Sequence, residues 1–140
     1  MRPVELVHTV SAPEEIEYLE DRIYEFNSAV TGIADGDSLQ IFARDSDHRT
    51  VGGICGNTWG GCCEIRQFWV HPAWRKQGLG TKLFLAAERE AQQRSCRQIV
   101  LMTFTFQAPG FYARHGFQVL AALDDHPHGH KNLLMRKQLG

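Results

Sequence analysis

Phe68-Trp69-Val70-His71-Pro72-Ala73-Trp74-Arg75-Lys76-Gln77-Gly78-Leu79-Gly80-Thr81 reads as the end of a strand, a turn and the glycine-punctuated start of a helix. Aromatic and β-branched residues favour an extended chain up to Val70, and Pro72 interrupts it. Beyond the turn, Leu79, Leu83, Ala86, Ala87 and Ala91 return at three- and four-residue steps. They form the inner stripe of an amphipathic helix over 76–94, with Lys82, Glu88, Arg89 and Arg94 outside. A helix start leaves unpaired N–H groups and a partial positive charge, and glycines let a diphosphate approach that backbone closely. The stretch is built to hold an anion.

Upstream, residues 3–9 (PVELVHT) read as a short strand, and Ser11-Ala12-Pro13-Glu14 has the spacing of a capping box with proline near the first helical position. Ile16, Leu19, Ile23, Phe26 and Val30 then mark one stripe of a helix that Gly32 can end. From 38 to 70 three β-rich runs, SLQIFAR, VGGICGNTW and CCEIRQFWV, are separated by Asp45-Ser46-Asp47 and by Gly60-Gly61, which implies antiparallel hairpins. Downstream, RQIVLMTF reads as a buried strand and PGFYARHG as a short helix stopped by Gly116. FQVLAAL and NLLMRKQL are two last strands around a polar segment, Asp124 to Lys131. The order is β-α-β-β-β-α-β-α-β-β, a mixed sheet with packed helices.

No repeat, low-complexity tract or linker divides the chain, and 140 residues suit one domain, so residues 1–140 are expected to form a single unit. A formal charge of -1 argues against nucleic acid as a partner, because such surfaces carry a basic stripe. The N-terminus lacks the apolar core of a signal peptide and no run is long enough to span a bilayer, which points to a cytoplasmic protein without membrane contact. Cys55, Cys62, Cys63 and Cys96 include no C-x-x-C pair and read as reduced, mostly buried residues rather than a zinc site or a disulfide framework.

Two nucleotide-binding readings of the glycine stretch fail. Gly78-Leu79-Gly80-Thr81-Lys82-Leu83 lacks the third glycine of a dinucleotide fold, and the next strand, Ile99 to Phe104, offers no acidic residue for a ribose. A phosphate-binding loop of the Walker type needs Lys before Ser or Thr, whereas here Thr81 precedes Lys82. An ordinary strand-to-helix turn with glycines for packing stays open on these residues alone.

Arg75-Lys76-Gln77-Gly78-Leu79-Gly80 resembles the [QR]-x-x-G-x-[GA] signature of the GCN5-related N-acetyltransferase superfamily. Val70-His71-Pro72 resembles the V-x-P that ends that family's fourth strand, and Ala108 to Phe117 resembles its A-x-x-[LF]-Y-x-x-x-G-F segment, with Thr105 where asparagine is frequent. The resemblance implies an α/β fold. Its mixed, mostly antiparallel sheet would have about seven strands, splayed between the fourth and fifth, with helices on both faces.

It also implies acetyl-CoA as co-substrate. The backbone of Gln77, Gly78, Leu79, Gly80 and Thr81 would hold the pyrophosphate, Arg75 and Lys76 would add charge, and Phe68, Trp69 and Val70 would pair with pantetheine. One of those strand amides would polarise the thioester carbonyl. Tyr112 matches the family's catalytic tyrosine, a proton donor to the departing thiolate; its alternative is packing beside Phe111 and Phe117. An alkylammonium must lose a proton before it attacks, and Glu64, six residues before Val70, is the candidate base; its alternative is a strand-surface carboxylate near Arg66.

Asp124-Asp125-His126-Pro127-His128-Gly129-His130 places three histidines at two-residue spacing, but the proline and glycine break the strand that a metal reading requires, so no metal is expected. This loop instead borders the acceptor cleft in the family. The expected activity is direct acetyl transfer to a small-molecule amine. A peptide or protein amine as acceptor, and a CoA-binding regulatory module without catalysis, are the alternatives. A homodimer through Trp59 and Trp74 is a further expectation.

Overall fold

The computed structural model describes all 140 residues. They divide into two compact units, Met1–Ala34 and Asp35–Gly140.

In the first unit one helix forms, α1 (Pro13–Thr31). Its end is as the sequence implies: Gly32 adopts φ 72°, and its N–H donates to Ser28 O at 2.8 Å. Its start differs. The N-cap is Ala12, which has no side-chain acceptor, so Ser11 lies one position too early to close a capping box; the Ser11 N–H instead donates to Thr9 Oγ1 at 3.3 Å. Residues 3–9 form no strand. An extended segment needs a ladder partner to hold it, and Pro3 lacks an N–H to offer one.

The second unit carries β1 (Asp37–Arg44), β2 (Thr50–Trp59), β3 (Cys62–Val70), α2 (Leu79–Gln93), β4 (Gln98–Phe104), α3 (Pro109–Arg114), β5 (Gln118–Asp124) and β6 (Lys131–Gln138). They make one six-stranded sheet in the order β1-β2-β3-β4-β6-β5, one strand short of the expected seven because 3–9 contributes none. Every pairing is antiparallel except β3 with β4. Gly60 and Gly61, at φ 59° and 84°, close the β2–β3 hairpin in the left-handed conformation that tight hairpins require.

α2 turns Leu83, Phe84, Ala87 and Ala91 onto one face of the sheet, against Leu39, Ile54, Cys63, Ile65, Ile99, Leu101 and Met135. Small alanines let the helix lie close. Its C-terminal end is pinned by Arg94, whose Nη1 donates to Ser38 O at 2.8 Å and to Thr58 Oγ1 at 3.2 Å.

Two irregularities in β3 open the sheet. Cys55 faces Gln67 but the next residue, Gly56, faces Ile65, so Arg66 is an extra residue bulged out of β3. Glycine at 56 is obligatory there, because a Cβ would stand 1.8 Å from Glu64 O. Beyond this point β3 leaves its parallel neighbour: the ladder with β4 covers only Cys62–Ile65 against Gln98–Leu101. These are the fourth and fifth strands of the expected order, and the expected splay lies between them.

Candidate active site

The splay leaves the backbone of β3 open on one side from Arg66 to Val70. His71 N–H donates back to Val51 O at 2.8 Å, toward β2. Alternate residues of a strand present their N–H and C=O groups to opposite sides. Phe68 and Val70 therefore present theirs toward the gap, and Trp69 presents its own toward β2, opposite Gly53. Of the three expected pantetheine partners, two have backbone groups facing the opening.

The loop after β3 is fixed by its own side chains. His71 Nδ1 accepts from Ala73 N–H at 3.0 Å, Arg75 Nε donates to Val70 O at 2.8 Å, and Gln77 Nε2 donates to Ala73 O at 3.0 Å. Arg75 thus staples the loop to the strand end and still keeps its charge at the helix start. Lys76 and Gly78 both take positive φ, 61° and 83°, which turns the chain into α2. The first intrahelical bond runs from Lys82 N–H to Gly78 O at 3.0 Å, so the amides of Leu79, Gly80 and Thr81 precede it and lack helical acceptors. Gly80 brings the helix start against the splayed strand: a Cβ there would lie in ordinary contact with Phe111, Val70 and Phe68 at 3.7–3.9 Å.

Between the parted strands lies a cavity of about 130 Å³ lined by Ile65, Arg66, Phe68, Leu101, Met102, Thr103, Gln107, Ala108 and Tyr112. A wider groove of about 400 Å³ between β1 and α2 shares no residue with it and contains none of the expected site residues. Phe68 and Tyr112, two of the expected site residues, line the smaller one. Tyr112 reaches it from α3, its ring packed edge-on against Phe68, Phe111 and Phe117 at 6.3, 5.5 and 5.5 Å. The ring packs and the side chain lines the cleft at the same time. Burial pushes its phenol up to about 12, so it remains a proton donor throughout the neutral range.

The other titratable groups near the core are quiet. Burial, with Lys137 and Arg114 nearby, holds His115 below its usual value, and its ring lies 5.0 Å from Phe84 and 4.5 Å from Phe111. Burial likewise raises Cys62, Cys96 and Cys63, the last to about 12, so none offers a thiolate.

Glu64 is not among the residues lining the cleft. It sits on β3 opposite Asn57 and Val100, with Oε1 at 3.7 Å from the Nε of Arg66, which also donates to Asn57 Oδ1 at 3.2 Å. Arg66, the extra residue of the bulge, does line the cleft. The sequence pattern does not single it out, nor Met102, Thr103 and Gln107. The one signal for Arg66 is Gly56, since a glycine inside a strand pattern marks a bulge.

Thr105, at the position where the family frequently has asparagine, ties two segments together: its N–H donates to Lys131 O at 2.9 Å and its Oγ1 accepts from Lys131 N–H at 3.2 Å. Gln107 Oε1 accepts from Phe104 N–H at 2.9 Å and from the Thr103 hydroxyl at 3.1 Å. In the loop 124–131, Asp125 accepts from Gly129 N–H at 3.0 Å and pairs with His128 at 3.3 Å, across a cis His126–Pro127 bond.

A parallel strand pair thus parts beside a glycine-rich helix start, with Tyr112 in the parting. Residues 5–117 match the acetyltransferase (GNAT) family, and the chain belongs to that family. It is an acyltransferase with acetyl-CoA as its donor. It is 32% identical over 114 residues to an acetyltransferase of Agrobacterium fabrum, covering 81% of this chain and 83% of the relative. Over 90 residues it is 35% identical to the blasticidin-S acetyltransferase of Streptomyces morookaense, covering 64% of this chain and 66% of that protein. Among solved structures, an acetyltransferase from Bacillus cereus is similar with a TM-score of 0.80 at 26% identity, over 96% of this chain and 98% of the other.

Proposed function

We propose that the chain transfers the acetyl group of acetyl-CoA directly to the primary amine of a small molecule. One observation carries this reading: Phe68, on the stretch of β3 that no longer pairs with β4, borders a cavity that Tyr112 also lines. Acetyl-CoA supplies the activated acyl group. The amides from Gln77 to Thr81 hold its pyrophosphate, Arg75 and Lys76 add charge, and the strand amides pair with pantetheine as an added strand would. One amide of Phe68, Trp69 or Val70 donates to the thioester carbonyl as negative charge develops on it, with those of Phe68 and Val70 facing the gap.

Tyr112 donates a hydrogen bond to the departing sulfur. An ordinary thiol near 8.5 is a stronger acid than a phenol at about 12, so complete proton transfer from Tyr112 would run uphill by roughly 5 kcal/mol. Its contribution is therefore a hydrogen bond to developing charge, and the proton lost by the attacking amine balances the thiolate. Glu64 receives that proton through solvent beside Arg66. Transfer is direct, from thioester to amine, and needs no acyl-enzyme.

The small-molecule acceptor is supported by the likeness to a protein named for acetylating blasticidin-S. Free-thiol release from acetyl-CoA against a panel of small amines tests the reading. Turnover with members of the panel is expected; turnover with peptide amines alone would refute it.

A further inference from the structure

The first unit carries an apolar surface with no cover of its own. α1 buries none of its 19 residues, and its stripe Ile16, Leu19, Ile23, Phe26 and Val30 is 54–69% exposed. Ahead of it Val4, Leu6 and Val7 are exposed as well, in the segment that reads as a strand and pairs with none. A helix in water takes most of its stability from packing its apolar face, and a contiguous apolar patch of this kind marks a protein interface.

The second unit carries an edge that suits it. β1 ends the sheet, so one side of its backbone has no neighbouring strand. Ser38 N–H donates to Asp37 Oδ1 at 2.9 Å and its carbonyl accepts from Arg94, so its backbone groups face away from β2. By alternation Gln40 and Phe42 present theirs to the same open side. Beside this edge, the groove between β1 and α2 is lined by the apolar Leu39, Ile41 and Ala86 and by the cations Arg89 and Arg94. Charge is divided to match. Residues 1–34 hold seven acidic and two basic residues, a formal -5, whereas 35–140 hold nine and thirteen, a formal +4. The one base in α1, Arg22, is already paired with Glu25 at 2.6 Å, so α1 meets a partner as an acidic helix.

We propose that the chain dimerises by exchanging residues 1–34. Residues 3–9 of one copy add a strand to the open edge of β1 in the other, and the apolar stripe of its α1 enters the β1–α2 groove of that copy. A second copy fits as occupant because it brings an apolar segment for the edge, an acidic amphipathic helix for the basic groove, and the same vacant edge to receive the reciprocal segment. The exchange closes with two-fold symmetry and leaves neither β1 edge open. Each sheet thereby gains its seventh strand, and the exposed stripe of α1 is buried.

Sedimentation equilibrium and hydrogen exchange on the full chain test the exchange. A dimer at micromolar concentration is expected, with the amides of Val4–His8, Gln40 and Phe42 protected in it and exchanging freely once dilution separates the copies. Leu6→Pro removes an N–H from the added strand, and Ile23→Glu places a charge in the stripe; both positions are exposed in the single copy, so each variant should fold as a monomer. Each should raise the dimer dissociation constant at least about 100-fold, and Leu6→Ile should leave it unchanged. A monomeric wild-type protein, a dimer whose 3–9 amides exchange freely, protection that survives dilution to monomer, or a wild-type dissociation constant in either disruptive variant overturns the exchange.

Discussion

Replacing Gly56 by alanine tests how the cleft is made. The added Cβ would lie 1.8 Å from Glu64 O, 2.8 Å from Glu64 C and 3.0 Å from Ile65 Cα. All three are backbone atoms, so no side-chain rotation relieves the overlap, and β3 must retreat by roughly 1 Å before even a tight contact is reached. Retreat opens the β2–β3 ladder beside the bulge. Overpacking of about 1–3 kcal/mol and two lost ladder bonds at about 1 kcal/mol each give a destabilisation of about 3–5 kcal/mol. For a chain of this size that lowers Tm by roughly 10 °C or more. Because the same strand carries Arg66, Phe68 and Val70 into the splay, the KM for acetyl-CoA should rise as well at temperatures where the variant is folded. Urea unfolding and acetyl-CoA kinetics read the two effects. Gly53→Ala is the control: its nearest clash, 2.8 Å, is with Cδ1 of the exposed Phe42 ring, which can swing aside, and its one backbone contact, Ile41 O at 3.3 Å, needs a shift of only a few tenths of an ångström, so a loss of about 1 kcal/mol is expected. If Gly56→Ala proves as stable as Gly53→Ala, the bulge is not held by the absence of a side chain, and the account of the cleft fails.

Tyr112→Phe should lower kcat by about 10- to 100-fold with little change in the KM for acetyl-CoA, the loss of one hydrogen bond to a charged sulfur; wild-type turnover would remove Tyr112 from the mechanism. The same variant has a signature in stability. Tyr112 binds its proton more tightly folded, at about 12, than unfolded, at about 10, so its contribution is complete below pH 10 and is lost as pH rises from 10 to 12. That loss amounts to roughly 2–3 kcal/mol, and urea midpoints for Tyr112→Phe should decline less steeply over that window. Glu64→Gln should depress turnover most at low pH, where the acceptor amine is hardest to deprotonate; an unaltered pH profile rules Glu64 out as the base. Lys76→Gly should act with opposite signs on two readouts. It relieves a left-handed residue and stabilises the fold by about 0.5–1 kcal/mol, yet removing the charge weakens acetyl-CoA binding; stronger binding in the glycine variant would exclude a phosphate role for Lys76.

Element identities were legible because short-range rules decided them. Gly32, Gly60-Gly61 and Gly116 sit at chain reversals whose positive φ suits glycine. The strand expected at 3–9 shows the limit: alternation describes what a segment could bury, whereas a strand exists only if another supplies its hydrogen bonds. The capping box failed for a related reason. A hydroxyl can cap only from the one residue that leaves the helix, and Pro13 moved that residue to Ala12.

The donor side of the cleft was legible for the same local reason, since the glycine loop, strand end and α3 tyrosine each lie within short motifs. The parting of β3 and β4 was expected from the family resemblance, but the residues that wall the cleft were not, because they come from positions about 40 apart, such as Arg66 and Gln107. The bulge requires glycine at 56, Arg66 is its extra residue, and β3 separates from β4 from that residue on. One absent side chain thus links the register of a hairpin to the opening that exposes Phe68 and Val70. A similar long-range join, Thr105 to Lys131, fastens the histidine loop to the end of β4 at the position where the sequence departs from its family's pattern.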